Sequence, residues 1–454
     1  MANEKESAQW FDSLLFPKVF QTFRIAIQPS KLIIAFLAVA VICVAGWLMD
    51  FNKTVVTTPD TQGQETELHI YVTTPDQLES YVKDAKEDGE RIGVFSTLWR
   101  FAAARFHGAL FSLFRFNIQG VAGNTIDCFK ALVWAIKYHY IYSIIFFVIM
   151  LAVISIAGGA ICRIAALQFA RDEKPGLTET LRFSLKKFSS FFAAPLAPAG
   201  IIIFIGFFIF LLGLVGNIPW AGKPIMVVFM VLALIAGGLI TVVLIGAVAG
   251  LNLMFPAVAY DDADCFDAIS RAFSYVFAKP WRMGFYTAIA AVYGAACYMF
   301  VRFFAFLLLW VTYLALQLGI LGDNSKLTGL WRDKPAFMDL IVPPNWAALS
   351  SLESLGAFLV YLLLLAVIVL IVAFLVSFYF SANTIIYALM RKAVDNTALQ
   401  DVYTPIEETK SEPAEPEPKE TPPESKSETQ PESKPEEQPP SESETKSDSS
   451  SSGQ

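Results

Sequence analysis

Histidine is nearly absent from this chain. Only His69, His107 and His139 occur in 454 residues. They are far apart in sequence and none belongs to an H-E-x-x-H signature, which removes the commonest helical zinc-hydrolase motif. Cysteine is also sparse. Cys43, Cys128, Cys162, Cys265 and Cys297 form no C-x-x-C pair, so neither a disulfide framework nor a zinc-ligand spacing is legible. Phosphate-cradling loops are missing as well. There is no G-x-G-x-x-G, and "AGKP" at 221–224 lacks the preceding Gly and following Ser/Thr of a Walker A loop. No G-x-S-x-G elbow occurs. These absences leave no catalytic, cofactor-binding or metal-ligating residue to nominate. The expectation is a non-enzymatic protein without a cofactor, and no nucleic-acid partner is expected.

What the chain has in excess is apolar sequence. It is 55% hydrophobic and 14% aromatic, with a mean hydropathy of +0.52, against about 45–50% apolar in soluble domains. The excess lies in runs of about 18 residues or more, enough to cross a ~30 Å hydrocarbon layer as helix. The expected fold is an all-α polytopic membrane protein with about six transmembrane helices, at 32–49, 141–162, 192–215, 225–256, 283–302 and 355–380. Residues 1–31 read as a cytoplasmic segment with an interfacial helix. Residues 50–140 form an extracytoplasmic insertion, with a short strand at "ELHIYV" (67–72) and an amphipathic helix over 96–116 that lies in the interface or packs on the spans. Residues 163–191 and 257–282 are cytoplasmic amphipathic loops, and 303–354 is extracytoplasmic or interfacial. Residues 381–400 extend the last helix into the cytoplasm.

Charge sets the orientation. Arg24 and Lys31 precede the first span. Arg163, Arg171, Lys174, Arg182, Lys186 and Lys187 follow the second, Arg271, Lys279 and Arg282 the fourth, and Arg391 and Lys392 the sixth. Positive residues near span ends face the cytoplasm, so both termini are expected inside, in a bacterial inner membrane. Arg24, Lys31, Arg182, Arg271, Lys279 and Arg282 are candidates for lipid-headgroup contacts. Arg302 divides the long run 283–321. The expectation is that the span ends there and an apolar helix follows at the outer surface. Arg302 then snorkels to headgroups as an anchor or serves a transport path. Gly246 and Gly250 of "GAVAG", with Gly294, are placed for close helix packing or self-association into a homo-oligomer.

The densest carboxylate cluster, "DDADCFD" (261–267), lacks the mid-loop Gly and terminal Glu of a calcium loop. Asp264 or Asp267 instead suits a helix N-cap.

The lead-ins to the spans look alike. "LRFSLKKFSSFFAAP" and "ISRAFSYVFAKP" are basic-aromatic segments ending in Pro, and "FQTFRIAIQPSKLIIAF" repeats the transition at the N-terminus. Setting Asp172 on Asp261 aligns Arg182 with Arg271. The pattern reads as three in–out–in helical hairpins, each entered through an amphipathic helix. "FDAISRAFSYVFAKPWR" and "TIIYALMRKAVDNTALQDVY" resemble segments of uncharacterised multi-pass integral membrane proteins of bacteria. The loop architecture is faintly similar to the membrane domain attached to some glycerophosphodiester phosphodiesterases. The resemblance covers the membrane body and implies no activity, because no phosphodiesterase catalytic domain accompanies it.

Residues 401–454 change character. They carry 15 carboxylates against five lysines, and no aromatic follows Tyr403. With the formal charge at −7 overall, the membrane body is left mildly basic. Such a Pro/Glu/Ser/Lys tail buries too little apolar surface to offset its ordering entropy and is expected to be disordered. The functional expectation is a membrane scaffold or adaptor whose tail tethers a cytoplasmic protein, with membrane lipids as the other partner. The alternative is a transporter or channel component built from parallel hairpin repeats.

Overall fold

A computed structural model describes residues 15–60, 63–88, 90–320, 325–346 and 349–404. The expected tail falls almost wholly outside them. A 3-10 turn (Phe16–Gln21) and a short helix, α1 (Thr22–Ala26), lead into the first long helix, α2 (Pro29–Met49). A small insertion follows. Its strands β1 (Val55–Asp60), β2 (Gly63–Thr66) and β3 (Glu90–Ile92) pair antiparallel in the order β2-β1-β3, with Thr57 opposite Thr66 and Val55 opposite Ile92. Helices α3 (Glu67–Thr73) and α4 (Leu78–Asp88) lie between the strands in sequence.

"ELHIYV" is therefore helical, against the expectation of a strand. The Thr66 hydroxyl accepts from the His69 amide and Thr73 donates to the His69 carbonyl. Local side-chain bonds thus satisfy both ends of a two-turn helix.

Helices α5 (Val94–Phe114) and α6 (Ile118–Tyr138) form an antiparallel hairpin. Asp50, at the end of α2, accepts from the Phe95 and Ser96 amides, each at 2.8 Å, and so caps α5 from a distance. The hairpin turns at Phe116, in a left-handed conformation, and Asn117 caps α6. One ion pair joins the two helices, with Arg105 3.3 Å from Asp127. Phe114, Phe116 and Ile118 at the tip are exposed. Of the two placements open for 96–116, packing on the spans is the one observed. The hairpin descends beside them instead of lying flat at the surface.

Then come α7 (Tyr140–Arg171), α8 (Leu177–Lys186), α9 (Phe188–Ala193), α10 (Ala197–Val215), α11 (Gly222–Asp261), α12 (Cys265–Ala278), α13 (Pro280–Gly319), α14 (Ser325–Leu330) and α15 (Ser351–Asp395). Among the described residues six helices are long and apolar enough to cross a membrane: α2, α7, α10, α11, α13 and α15. The chain is a multi-pass membrane protein.

Two ends of the bundle are distinguishable. The near end gathers residues 15–31, 163–191, 257–282 and 383–403. The far end carries the insertion and residues 325–346. The three spans leaving the near end each hold a Pro in their first turn, Pro29, Pro198 and Pro280, where a missing amide hydrogen is harmless. The three returning spans each end on a left-handed residue, Asp172, Asp262 and Asn396, with φ of 57°, 56° and 56°. Asp and Asn tolerate this conformation better than other side chains. The shared cap sets Asp172 on Asp262, one residue away from the alignment made on Asp261.

The main core lies at the near end. Ile161 and Ile164 of α7, Leu253 and Val258 of α11, and Ile385 and Leu389 of α15 are all buried there. Helical structure consequently runs past the expected span ends. α7 continues from 162 to Arg171, and α15 runs unbroken into the expected helical extension as far as Asp395. α13 likewise continues past Arg302 to Gly319, about 60 Å at 1.5 Å per residue, so there is no separate surface helix after Arg302. α10 and the distal part of α11 contact little but each other and present apolar side chains such as Ile203, Val228 and Leu234 outward.

Candidate functional site

The near end concentrates polar interactions where α7, α11 and α15 finish. Asp261 closes α11, and its side chain is 6% exposed. It receives Arg271 of α12 at 3.1 Å, Arg391 of α15 at 3.3 Å and the Tyr387 hydroxyl. A carboxylate out of water is tolerable only with such partners. Arg271 also grips Asp267 at 2.9 Å. Asp264 is the N-cap of α12, accepting from the Asp267 amide at 2.8 Å, and Asp262 pairs with Lys187 at 3.1 Å. The four aspartates of "DDADCFD" are thus spent on capping and ion pairs. Among the described residues no group of three or more His, Cys, Asp and Glu side chains is placed to hold a metal.

Residues 396–403 lie as a strap across these helix ends. Arg163 donates to the carbonyls of Ala259 (3.0 Å) and Tyr403 (2.8 Å). Arg171 donates to Gln400 and Val402, Tyr260 to Leu399, and the Tyr403 amide to the Tyr260 carbonyl. Arg391 holds Asp401 through both its carbonyl and its carboxylate. Val402 is buried. Sequence reasoning counted these arginines as topology signals and placed 401–403 in the tail. Nothing in their spacing shows that Arg163 and Arg171 bind backbone carbonyls more than 200 residues away.

Tyr275 of α12 donates to Asp395 at 2.5 Å. Burial, and then this bond, push its ionisation above the usual phenol range. The raised group contributes stability that is complete below the unfolded pKa of about 10 and is lost as pH rises through the folded value. A melting-temperature profile should therefore be flat across Tyr275's range up to about pH 10 and then fall. Tyr275→Phe should fall less steeply over the same alkaline limb.

The six expected headgroup residues separate. Arg24 is exposed and pairs loosely with exposed Asp172 at 3.7 Å. Arg182 is exposed and Arg282 half-buried. Lys31, however, is 0% exposed and donates to the Ile25 carbonyl and to Gln168 at 2.7 and 2.9 Å. Arg271 is engaged by Asp261 and Asp267, and Lys279 by the Ala393 carbonyl. All three are engaged by acceptors within the chain, Lys31 wholly out of contact with the surroundings.

Gly246, Gly250 and Gly294 sit at close helix approaches. An added Cβ would lie 2.9 Å from the Phe273 ring, 3.4 Å from Ala272 and 2.7 Å from the Phe378 ring, respectively.

Arg302 is 7% exposed and held by acceptors within the chain. It donates to the carbonyls of Phe337 (3.1 Å) and Met338 (2.7 Å) and to the Tyr298 hydroxyl (3.2 Å). His107 of α5 meets the same hydroxyl at 3.1 Å. Arg302 therefore pins the far-end segment 331–346 to α13. Below it, α5, α13 and α15 line an apolar cavity of about 320 Å³. In comparisons with known proteins, no family model, no curated protein and no solved structure matches this chain.

Proposed function

We propose that this chain is a non-enzymatic scaffold in the cytoplasmic membrane of a bacterium, presenting its acidic tail to a cytoplasmic protein from a fixed platform. The strap carries this reading. Residues 396–403 are tied to all three returning spans, so whatever follows leaves from a defined point and not from a frayed helix end. The basic residues at the same end support a cytoplasmic placement. The tail's 15 carboxylates favour a partner with a basic surface. The Pro-led outgoing spans and the Asp- or Asn-capped returning spans support the three-hairpin repeat, which would set the three helix ends side by side.

Truncation after Thr404 tests the reading, because it keeps the strap and removes the tail. Mild-detergent purification of full-length and truncated chains should show equal melting temperatures and loss of co-purifying cytoplasmic proteins only on truncation. An unchanged set of co-purifying proteins would defeat the adaptor reading. The alternative of a transporter or channel component draws on the apolar cavity beside α13. It would gain support from solute flux in liposomes that drops with Arg302→Ala.

A further inference from the structure

The cavity between the α5–α6 hairpin and the bundle holds a buried polar group that the protein leaves unpartnered. Asn383 is 5% exposed, and its side-chain Nδ2 has no acceptor. Leu375, Phe378, Tyr379, Ala382, Asn383 and Ile386 all line the cavity. Their i, i+3/i+4 spacing marks one continuous face of α15, so Asn383 belongs to the cavity face. An amide donor buried without an acceptor costs about 1–3 kcal/mol. The natural remedy is an occupant that is mostly apolar and carries one acceptor oxygen.

The walls say what that occupant is. Ala291, Gly294 and Ala295 of α13 open space opposite Leu113 at the hairpin tip. Thr287 and Tyr298 bracket the α13 wall and are eleven residues apart, about 16 Å at 1.5 Å per residue. That is close to half of the ~30 Å hydrocarbon thickness, the reach of one leaflet's acyl chain. Thr287 lies seven residues into α13, about 10 Å from its start. Asn252, Thr287 and Asn383 gather at this end, and Asn252 accepts from Tyr379 at 2.9 Å. The opposite end is walled by aromatic Phe106 and Tyr298. Asn252, Thr287 and Ala291 are partly exposed, so the cavity opens sideways within the span region, where the adjoining material is lipid.

We infer that this cavity is a binding site for one acyl chain of a near-leaflet glycerophospholipid, whose ester carbonyl accepts a hydrogen bond from Asn383. The amide sits at the depth of the ester and the chain runs along Gly294 toward Tyr298. The α5–α6 hairpin covers it as a lid inserted from the far end. This site is independent of the strap and of the tail.

Photolabelling tests it. The full chain is reconstituted in phosphatidylethanolamine vesicles doped with a phosphatidylethanolamine bearing a diazirine on one acyl chain. Adducts should concentrate on 287–295 and 375–386 over the exposed control face 227–234 of α11. Ala291→Trp, which fills the cavity, should abolish that enrichment and leave labelling of 227–234 unchanged. Asn383→Leu keeps the volume and removes an unpaired buried donor, so the fold is not threatened. It should lower occupancy about three- to tenfold, the worth of one net hydrogen bond. Even labelling of all outward faces, enrichment that persists in both variants, or protein–protein adducts from a second copy in the cavity would each overturn the assignment.

Discussion

Asp261→Ala is expected to cost about 3–5 kcal/mol of stability, the range for removing one member of a buried charge pair. The cost exceeds that of a lost contact because of what stays behind. Arg391, with its side chain 11% exposed, would keep only Asp401, which is largely exposed. The Tyr387 hydroxyl would lose its acceptor. Arg271 would fall back on Asp267. The internal control is Asp267→Ala. That carboxylate is 45% exposed, and surface pairs of this kind contribute about 0–1 kcal/mol. Thermal unfolding in detergent, followed by tryptophan fluorescence, should rank Asp261→Ala far below Asp267→Ala. Equal melting temperatures would mean that Asp261 is not the centre of the near-end cluster.

Arg302→Ala should act at the other end, and locally. Three donors disappear, leaving the Phe337 and Met338 carbonyls without their partner and the Tyr298 hydroxyl with His107 alone. Charged hydrogen bonds contribute about 1.5–3 kcal/mol each, and losses within one cluster do not add, so about 2–4 kcal/mol is expected in all. The readout is limited proteolysis. Residues 331–346 should become the first site of cleavage, while the near end keeps its protection. Arg302→Lys should rescue only partly, because an ammonium cannot reproduce the planar fork that spans two adjacent carbonyls. Arg332→Ala serves as the control, since its pair with Asp333 is half exposed on both sides. If Arg302→Ala and Arg332→Ala cleave alike, Arg302 does not pin the segment.

Six spans are legible because hydropathy is local: each run of 18 or more apolar residues declares itself whatever it packs against. The span ends are less legible. Arg163 looks like the start of a loop because a charge after an apolar run normally meets water. Here it is seven residues into a buried stretch beginning at Ala157, paid for by carbonyls at 259 and 403. Arg302 misleads for the same reason. The 96–116 helix shows its amphipathic period in sequence, but that period does not distinguish a lipid surface from the flank of another helix. Asn383 carried a usable signal, a polar amide within a long apolar helix. It was hidden by placing the end of the last span at residue 380.

The strap also fixes an order of events during synthesis. Arg163 is made early, yet one of its two carbonyl partners belongs to Tyr403, 240 residues later. At about 5–20 residues per second, roughly 10–50 s separate the two. Through that interval Arg163 lacks that acceptor, and Asp261 lacks Arg391 and Tyr387. The near end cannot close until the last helix has been inserted and its final turn has emerged. A chain stalled or truncated before Arg391 would hold the apolar length of its last span but present an open, charged seam, which is the kind of surface that membrane quality control can distinguish from a finished protein.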